Sequence, residues 1–125
     1  MNNLRKNYKI KATAEEVFNA LTNPFTIELW SGYPAKMTIG ENTEFELWDG
    51  DIAGINLEIV KDKKLVQEWY FGDQPEKSIV TITLSRKGNS TLVELEHTNI
   101  PESEFNDIRN GWDQHYWGAI QEFFK

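Results

Sequence analysis

Along this chain the spacing of apolar residues changes three times, from a period of two to a helical period, back to two, and to helical again. Tyr8, Ile10 and Ala12 alternate with Asn7, Lys9 and Lys11, which predicts a first strand with one buried face. Thr13-Ala14-Glu15-Glu16 then reads as a capping box, in which the threonine hydroxyl accepts from the amide three residues on and Glu16 reaches back. Val17, Phe18 and Leu21 form the buried side of the helix that follows. Asn23-Pro24 ends it and opens a second, because proline cannot continue a helix but suits its first turn. The second helix is short and carries Phe25, Ile27, Leu29 and Trp30 before Ser31-Gly32.

Alternation then returns, and strands are expected over 34–39, 43–48, 51–60, 64–71, 78–86 and 90–98. Asp49-Gly50 is a tight-turn dipeptide, and Lys61-Asp62-Lys63 and Lys87-Gly88-Asn89 supply two further turns. Gly54 inside a strand suggests a bulge or a sharp bend. Val80, Ile82 and Leu84 oppose Thr81, Thr83 and Ser85, and Val93, Leu95 and His97 oppose Glu94, Glu96 and Thr98. Antiparallel strands with one dry and one wet face have this signature. From about Ser103 to Phe124 the period is helical again. Ile108, Trp112, Tyr116, Ala119, Ile120 and Phe123 make one apolar stripe. Gly111 and Gly118 each cost this helix ~1 kcal/mol relative to alanine. Either something approaches the helix closely there, backbone or a bound molecule, or the glycines are simply tolerated. The predicted architecture is α+β, a curved antiparallel sheet wrapped around a long C-terminal helix, with two short helices after the first strand.

Composition narrows the function. The 125 residues have the size of one domain, so 1–125 is expected to form a single unit. No cysteine is present, which excludes disulfides, thiolate clusters and cysteine nucleophiles. With 20 acidic against 13 basic residues the net charge is −7, a field that repels a phosphate backbone and argues against a nucleic-acid partner. No apolar leader follows the N-terminal charges and no run reaches the ~20 apolar residues of a membrane span, so a cytoplasmic location is expected, without membrane insertion. Five tryptophans in so small a chain call for a cavity wall or an interface.

Catalytic chemistry is thinly supported. His97 is turned inward by the strand alternation, with His115 or a carboxylate as a conceivable partner, but an inward histidine at a strand end more often makes a structural hydrogen bond. Two histidines without paired helical spacing are weak evidence for a metal, and no phosphate loop or nucleophile elbow is present. No enzyme, cofactor or metal is expected. Trp48 lies opposite Phe45 and Leu47 in the alternation and is a candidate exposed aromatic for a partner surface; packing against a neighbouring loop is the equal alternative.

Thr13-Ala14-Glu15-Glu16-Val17-Phe18, Leu21-Thr22-Asn23-Pro24 and Trp30 resemble the opening of the START-like, or polyketide cyclase-like, superfamily, whose fold is the helix grip. Phe45 with Asp49-Gly50-Asp51-Ile52-Ala53-Gly54, Trp69-Tyr70-Phe71, Pro75-Glu76 and Thr81-Ile82-Thr83-Leu84 resemble successive blocks of the activators of the 90-kDa heat-shock chaperone ATPase. So does the ending, Ile100-Pro101-Glu102, Arg109-Asn110-Gly111-Trp112, Tyr116 and Ile120. The resemblance is to the C-terminal domain of those two-domain co-chaperones. It implies a non-catalytic interaction domain with a heat-shock protein 90-type chaperone as partner. Superfamily habit implies an alternative, a carrier of a small hydrophobic molecule in the cleft between sheet and terminal helix. The aromatic inventory supplies its candidate lining: Phe25, Leu29, Trp30, Phe45, Trp69, Phe71, Trp112 and Tyr116, with His97 at the mouth. For any one of these, filling the core is the more ordinary role.

Overall fold

The computed structural model describes residues 2–72 and 74–125. Strand β1 (Asn2–Ile10) is followed by helices α1 (Ala14–Thr22) and α2 (Pro24–Ser31). Then come β2 (Lys36–Met37), β3 (Thr43–Leu47), β4 (Ile52–Val60), β5 (Lys64–Trp69), β6 (Ser78–Lys87) and β7 (Ser90–Ile100). The chain closes with one long helical segment. A 3-10 turn (Glu102–Glu104) leads into α3 (Phe105–Gly111), a π turn (Trp112–Tyr116) and α4 (Trp117–Phe123). The seven strands form a single sheet in the order β1-β7-β6-β5-β4-β3-β2, every neighbouring pair antiparallel. This is the α+β helix-grip arrangement.

Local chemistry accounts for the entry into each early element. Thr13 accepts from the Glu16 amide at 3.1 Å while Glu16 accepts from the Thr13 amide at 3.0 Å, closing the capping box. Asn23 ends α1 and caps α2 by accepting from the Phe25 amide at 3.0 Å, with Pro24 in the first turn. Gly32, at φ 80°, stops α2 in the left-handed conformation. The first strand ends at Ile10, so Ala12 lies beyond it; Ala12 is still buried, and its carbonyl accepts from Thr91 Oγ1 at 2.8 Å.

The dry face of the sheet carries Phe45, Leu47, Leu65, Val80, Ile82, Val93 and Leu95. It joins Val17, Leu21 and Ile27 of the short helices and Trp112, Tyr116, Trp117 and Ile120 of the terminal helix in one core. Three expectations change here. Gly54 is no bulge: a Cβ there would overlap the Glu68 carbonyl and come within 2.9 Å of the Phe45 ring, so glycine permits close packing across three strands. The bulge falls at Leu57, between the pairs Asn56↔Gln67 and Glu58↔Val66. The expected strand 34–39 shrinks to the two paired residues of β2. Along the terminal helix, Phe123 is exposed and Trp117 takes its place in the core. The cause is the π turn, in which the Trp117 amide donates to the carbonyl of Trp112, five residues back. The extra residue in the wider turn shifts the phase of the helix, so that Trp117 joins Tyr116 and Ile120 on the buried side and Phe123 moves off it.

Candidate functional site

At one end of the grip, where α3 and the π turn leave the sheet, a pocket of about 390 Å³ opens. Tyr33, Trp48, Trp69, Trp112 and Tyr116 supply aromatic walls, Ile52 and Ile108 add aliphatic surface, and Gly111 leaves a gap in the helix face. Asp51, Asp107 and His115 are its polar lining groups, all exposed. The rings are packed in series: Trp69 stacks on Trp112 at 4.8 Å, Trp112 meets Tyr116 at 4.6 Å, and Trp48 lies 5.9 Å from both Tyr116 and Trp30.

The floor of the pocket is held from behind by two buried polar chains. In the first, the Trp112 indole N–H donates to His97 Nδ1 at 3.1 Å, which puts the imidazole proton on Nε2. Nε2 then donates to Ser78 Oγ at 2.8 Å, and Ser78 donates to the Thr98 carbonyl at 3.1 Å. Both ring nitrogens are occupied. Burial pushes the His97 pKa down to about 3, so the ring is neutral. In the second chain, Trp69 Nε1 donates to Gln67 at 3.0 Å, Gln67 to Asn56 at 2.9 Å, and Asn56 to Thr43 at 3.2 Å. Asn56 and Gln67 are fully buried on the dry face, and their pairing explains how a sheet interior tolerates two amides. Burial likewise holds the Tyr116 phenol well above its ordinary pKa.

The residues expected to line a ligand cleft divide into three groups. Trp69, Trp112 and Tyr116 line the pocket. Trp30, Phe45, Phe71 and His97 stand behind it: Trp30 donates its indole N–H to the Ala20 carbonyl at 2.8 Å, Phe45 packs under Gly54, and Phe71 lies 6.1 Å from the His97 ring. Phe25 and Leu29 are outside altogether. They stand on the outer side of α2, because Ile27 and Trp30 take that short helix's buried positions. Trp48, for which exposure on a partner surface and packing against a neighbouring segment are equal expectations, is half-buried in the pocket wall. The chain leaves the strand conformation there, with Trp48 at φ 50° and Asp49 at φ 54°, so alternation no longer sets the side chain's direction. Tyr33, Asp51 and Asp107 had no periodic signal, since loop and helix-rim positions carry none. His115 sits on the pocket rim, with no contact to His97 that would couple the two.

A second concavity lies elsewhere on the surface. Phe25 (70% exposed), Leu29 (58%), Ile39 (65%) and Phe123 (41%) line a groove of about 700 Å³, together with Ile59, Phe124 and the polar residues Glu15, Glu16, Lys61 and Asp62.

A seven-strand antiparallel sheet gripping a long terminal helix around an aromatic pocket defines the helix-grip class of α+β domains. Residues 11–125 match the family described as "Activator of Hsp90 ATPase homolog 1-like protein", and the chain belongs to that family. It is 29% identical over 112 residues to the human activator of 90 kDa heat shock protein ATPase homolog 1, covering 88% of this chain and 33% of that protein. The chain thus spans about a third of the curated relatives' length. Among solved structures, an HSP90 activator from Plasmodium falciparum superposes with a TM-score of 0.89 at 29% identity, over 97% of this chain and 94% of that one. The Aha1 dimer of Colwellia psychrerythraea shares the fold, with a TM-score of 0.81 at 19% identity over 99% and 96% of the two chains. Among the described residues no helix is long and apolar enough to cross a membrane, and no cluster of potential metal ligands is found.

Proposed function

We propose that this chain is a non-catalytic interaction domain that engages a heat-shock protein 90-type chaperone. The observation that carries the reading is the groove of exposed apolar side chains: Phe25, Leu29, Ile39 and Phe123 bring four large hydrophobic groups into one concavity. Contiguous exposed patches of this kind mark contact surfaces, and covering one phenylalanine or leucine is worth ~1.5–3 kcal/mol at most. Kinship with heat-shock protein 90 activators supports that partner class. The non-catalytic part is supported by His97, whose two ring nitrogens are spent on Trp112 and Ser78.

The test is a titration of isotope-labelled protein with the host's chaperone, followed by backbone amide shifts. Shifts confined to α2, Ile39 and the end of the terminal helix, abolished by the double variant Phe25→Ser, Leu29→Ser, are the expected result. Undiminished binding by that variant overturns the groove as the contact. Absence of binding overturns the partner.

A second reading has its own observation. The pocket of about 390 Å³ falls within the ~300–1,000 Å³ of small-molecule sites and has a largely aromatic wall. It supports the binding of a small hydrophobic molecule at the mouth of the grip, away from the groove.

A further inference from the structure

The polar groups around the pocket are as selective as its aromatic wall. Asp51 follows the tight turn that carries Trp48, and Asp107 lies on α3 one turn before Gly111, so two acidic residues from different elements line one opening. Neither makes a salt bridge or a side-chain hydrogen bond among the described residues, whereas Asp113, Glu58, Glu46 and Glu96 each have a basic partner. Among the described residues no lysine or arginine lines the pocket, and His115 is its one basic side chain. The chain's net charge of −7 adds a field of the same sign.

We infer that the pocket selects an organic cation, an amine or quaternary ammonium carried on an apolar body. The apolar part would lie against Trp112 and Trp69, whose indoles are held from behind by His97 and Gln67, and against Tyr116, which packs on Trp112 at 4.6 Å. The cationic nitrogen would sit at the mouth between Asp51 and Asp107, beside the electron-rich rings of Trp48 and Tyr33. Aromatic rings attract a cation through their quadrupole, and unpaired carboxylates at the rim do so by charge. An anionic ligand such as a fatty acid would meet the same groups as repulsion. This inference rests on the second reading above, that the pocket takes a ligand at all.

Three probes with one tail and three charges separate the possibilities: hexyltrimethylammonium, hexanol and hexanesulfonate, titrated into the full chain by calorimetry and amide shifts. The ammonium is expected to bind about tenfold tighter than the alcohol, with the sulfonate weakest, and its shifts to centre on Trp48, Ile52 and Gly111. The double variant Asp51→Asn, Asp107→Asn alters two exposed side chains. It is expected to remove the preference for the ammonium while leaving the alcohol's affinity within about twofold. Equal binding of all three probes in the pocket overturns the charge selection and leaves the ligand site standing. Ammonium shifts scattered over the acidic surface, or a preference that survives the double variant, overturns it also. If none of the three binds, the ligand reading falls and the inference with it.

Discussion

His97 shows how one buried side chain links the sheet to the terminal helix, joining β7 to β6 through Ser78 and to the π turn through Trp112. Its pKa is pushed from 6.5 down to about 3 by burial, so below pH 6.5 the unfolded chain takes up a proton that the folded one refuses. Stability from this residue is therefore complete above about pH 6.5 and is lost progressively as the pH falls toward 3. Between pH 7 and 5 the loss should be about 2 kcal/mol in denaturant midpoints, and His97→Asn should flatten that part of the profile. The variant should also cost about 1–3 kcal/mol at pH 7, because Ser78 or Trp112 is left unpaired. Trp48 is the complementary case. Its contacts with Trp30 and Tyr116 predict a loss of about 2 kcal/mol for Trp48→Ala in thermal or chemical unfolding, more than an exposed tryptophan would lose. Alternation identified His97 as inward, because it lies within a regular strand. At Trp48 it leaves exposure and packing open, because a left-handed turn begins at that residue and periodicity stops where regular geometry does.

Among the elements, the terminal helix departs furthest from its sequence signal. Its stripe of Ile108, Trp112, Tyr116 and Ile120 is legible at a helical period, but the extra residue in the π turn has no periodic mark, and so the period alone omits Trp117 and includes Phe123. The two glycines of this helix did register as costly, and they prove to have different causes. A Cβ on Gly118 would overlap the carbonyl of Asp113, a residue of the π turn, whereas a Cβ on Gly111 would meet nothing within 4 Å. Gly118→Ala should lower stability by at least about 2 kcal/mol, while Gly111→Ala should raise it by about 0.5–1 kcal/mol, both read from thermal melts. A loss at both positions would mean that helix propensity and sterics do not govern this segment. The turn is also held from outside, since Asp113 accepts from Lys6 and from Tyr8 at 2.8 Å; those contacts keep its carboxyl below the ordinary range, and burial, with Asp113 beside it, holds the Tyr8 phenol above its own.

At the scale of the molecule, element order, antiparallel pairing and the helix grip were all readable from period changes and turn residues, because each is enforced by many positions at once. Part of the pocket was readable too, in Trp69, Trp112 and Tyr116, whereas the exposed groove and the place of Trp48 in the pocket wall were not. Phe25 and Leu29 belong to one and Trp48 to the other, and in each case the residue lies on a two-turn helix or at a turn, where too few neighbours repeat to fix a face. The exposed groove should be separable from folding: Phe25→Ser with Leu29→Ser is expected to change stability by no more than about 0.5 kcal/mol per site in chemical denaturation. The series of rings from Trp30 through Trp48, Tyr116 and Trp112 to Trp69 has an optical consequence as well. Indoles this near one another exchange excitation energy and couple their transitions, so near-ultraviolet circular dichroism should be intense and emission dominated by a few acceptor rings. Anything entering between Trp48 and Trp112 would disturb that coupling, which gives the protein a built-in gauge of occupancy that requires no label.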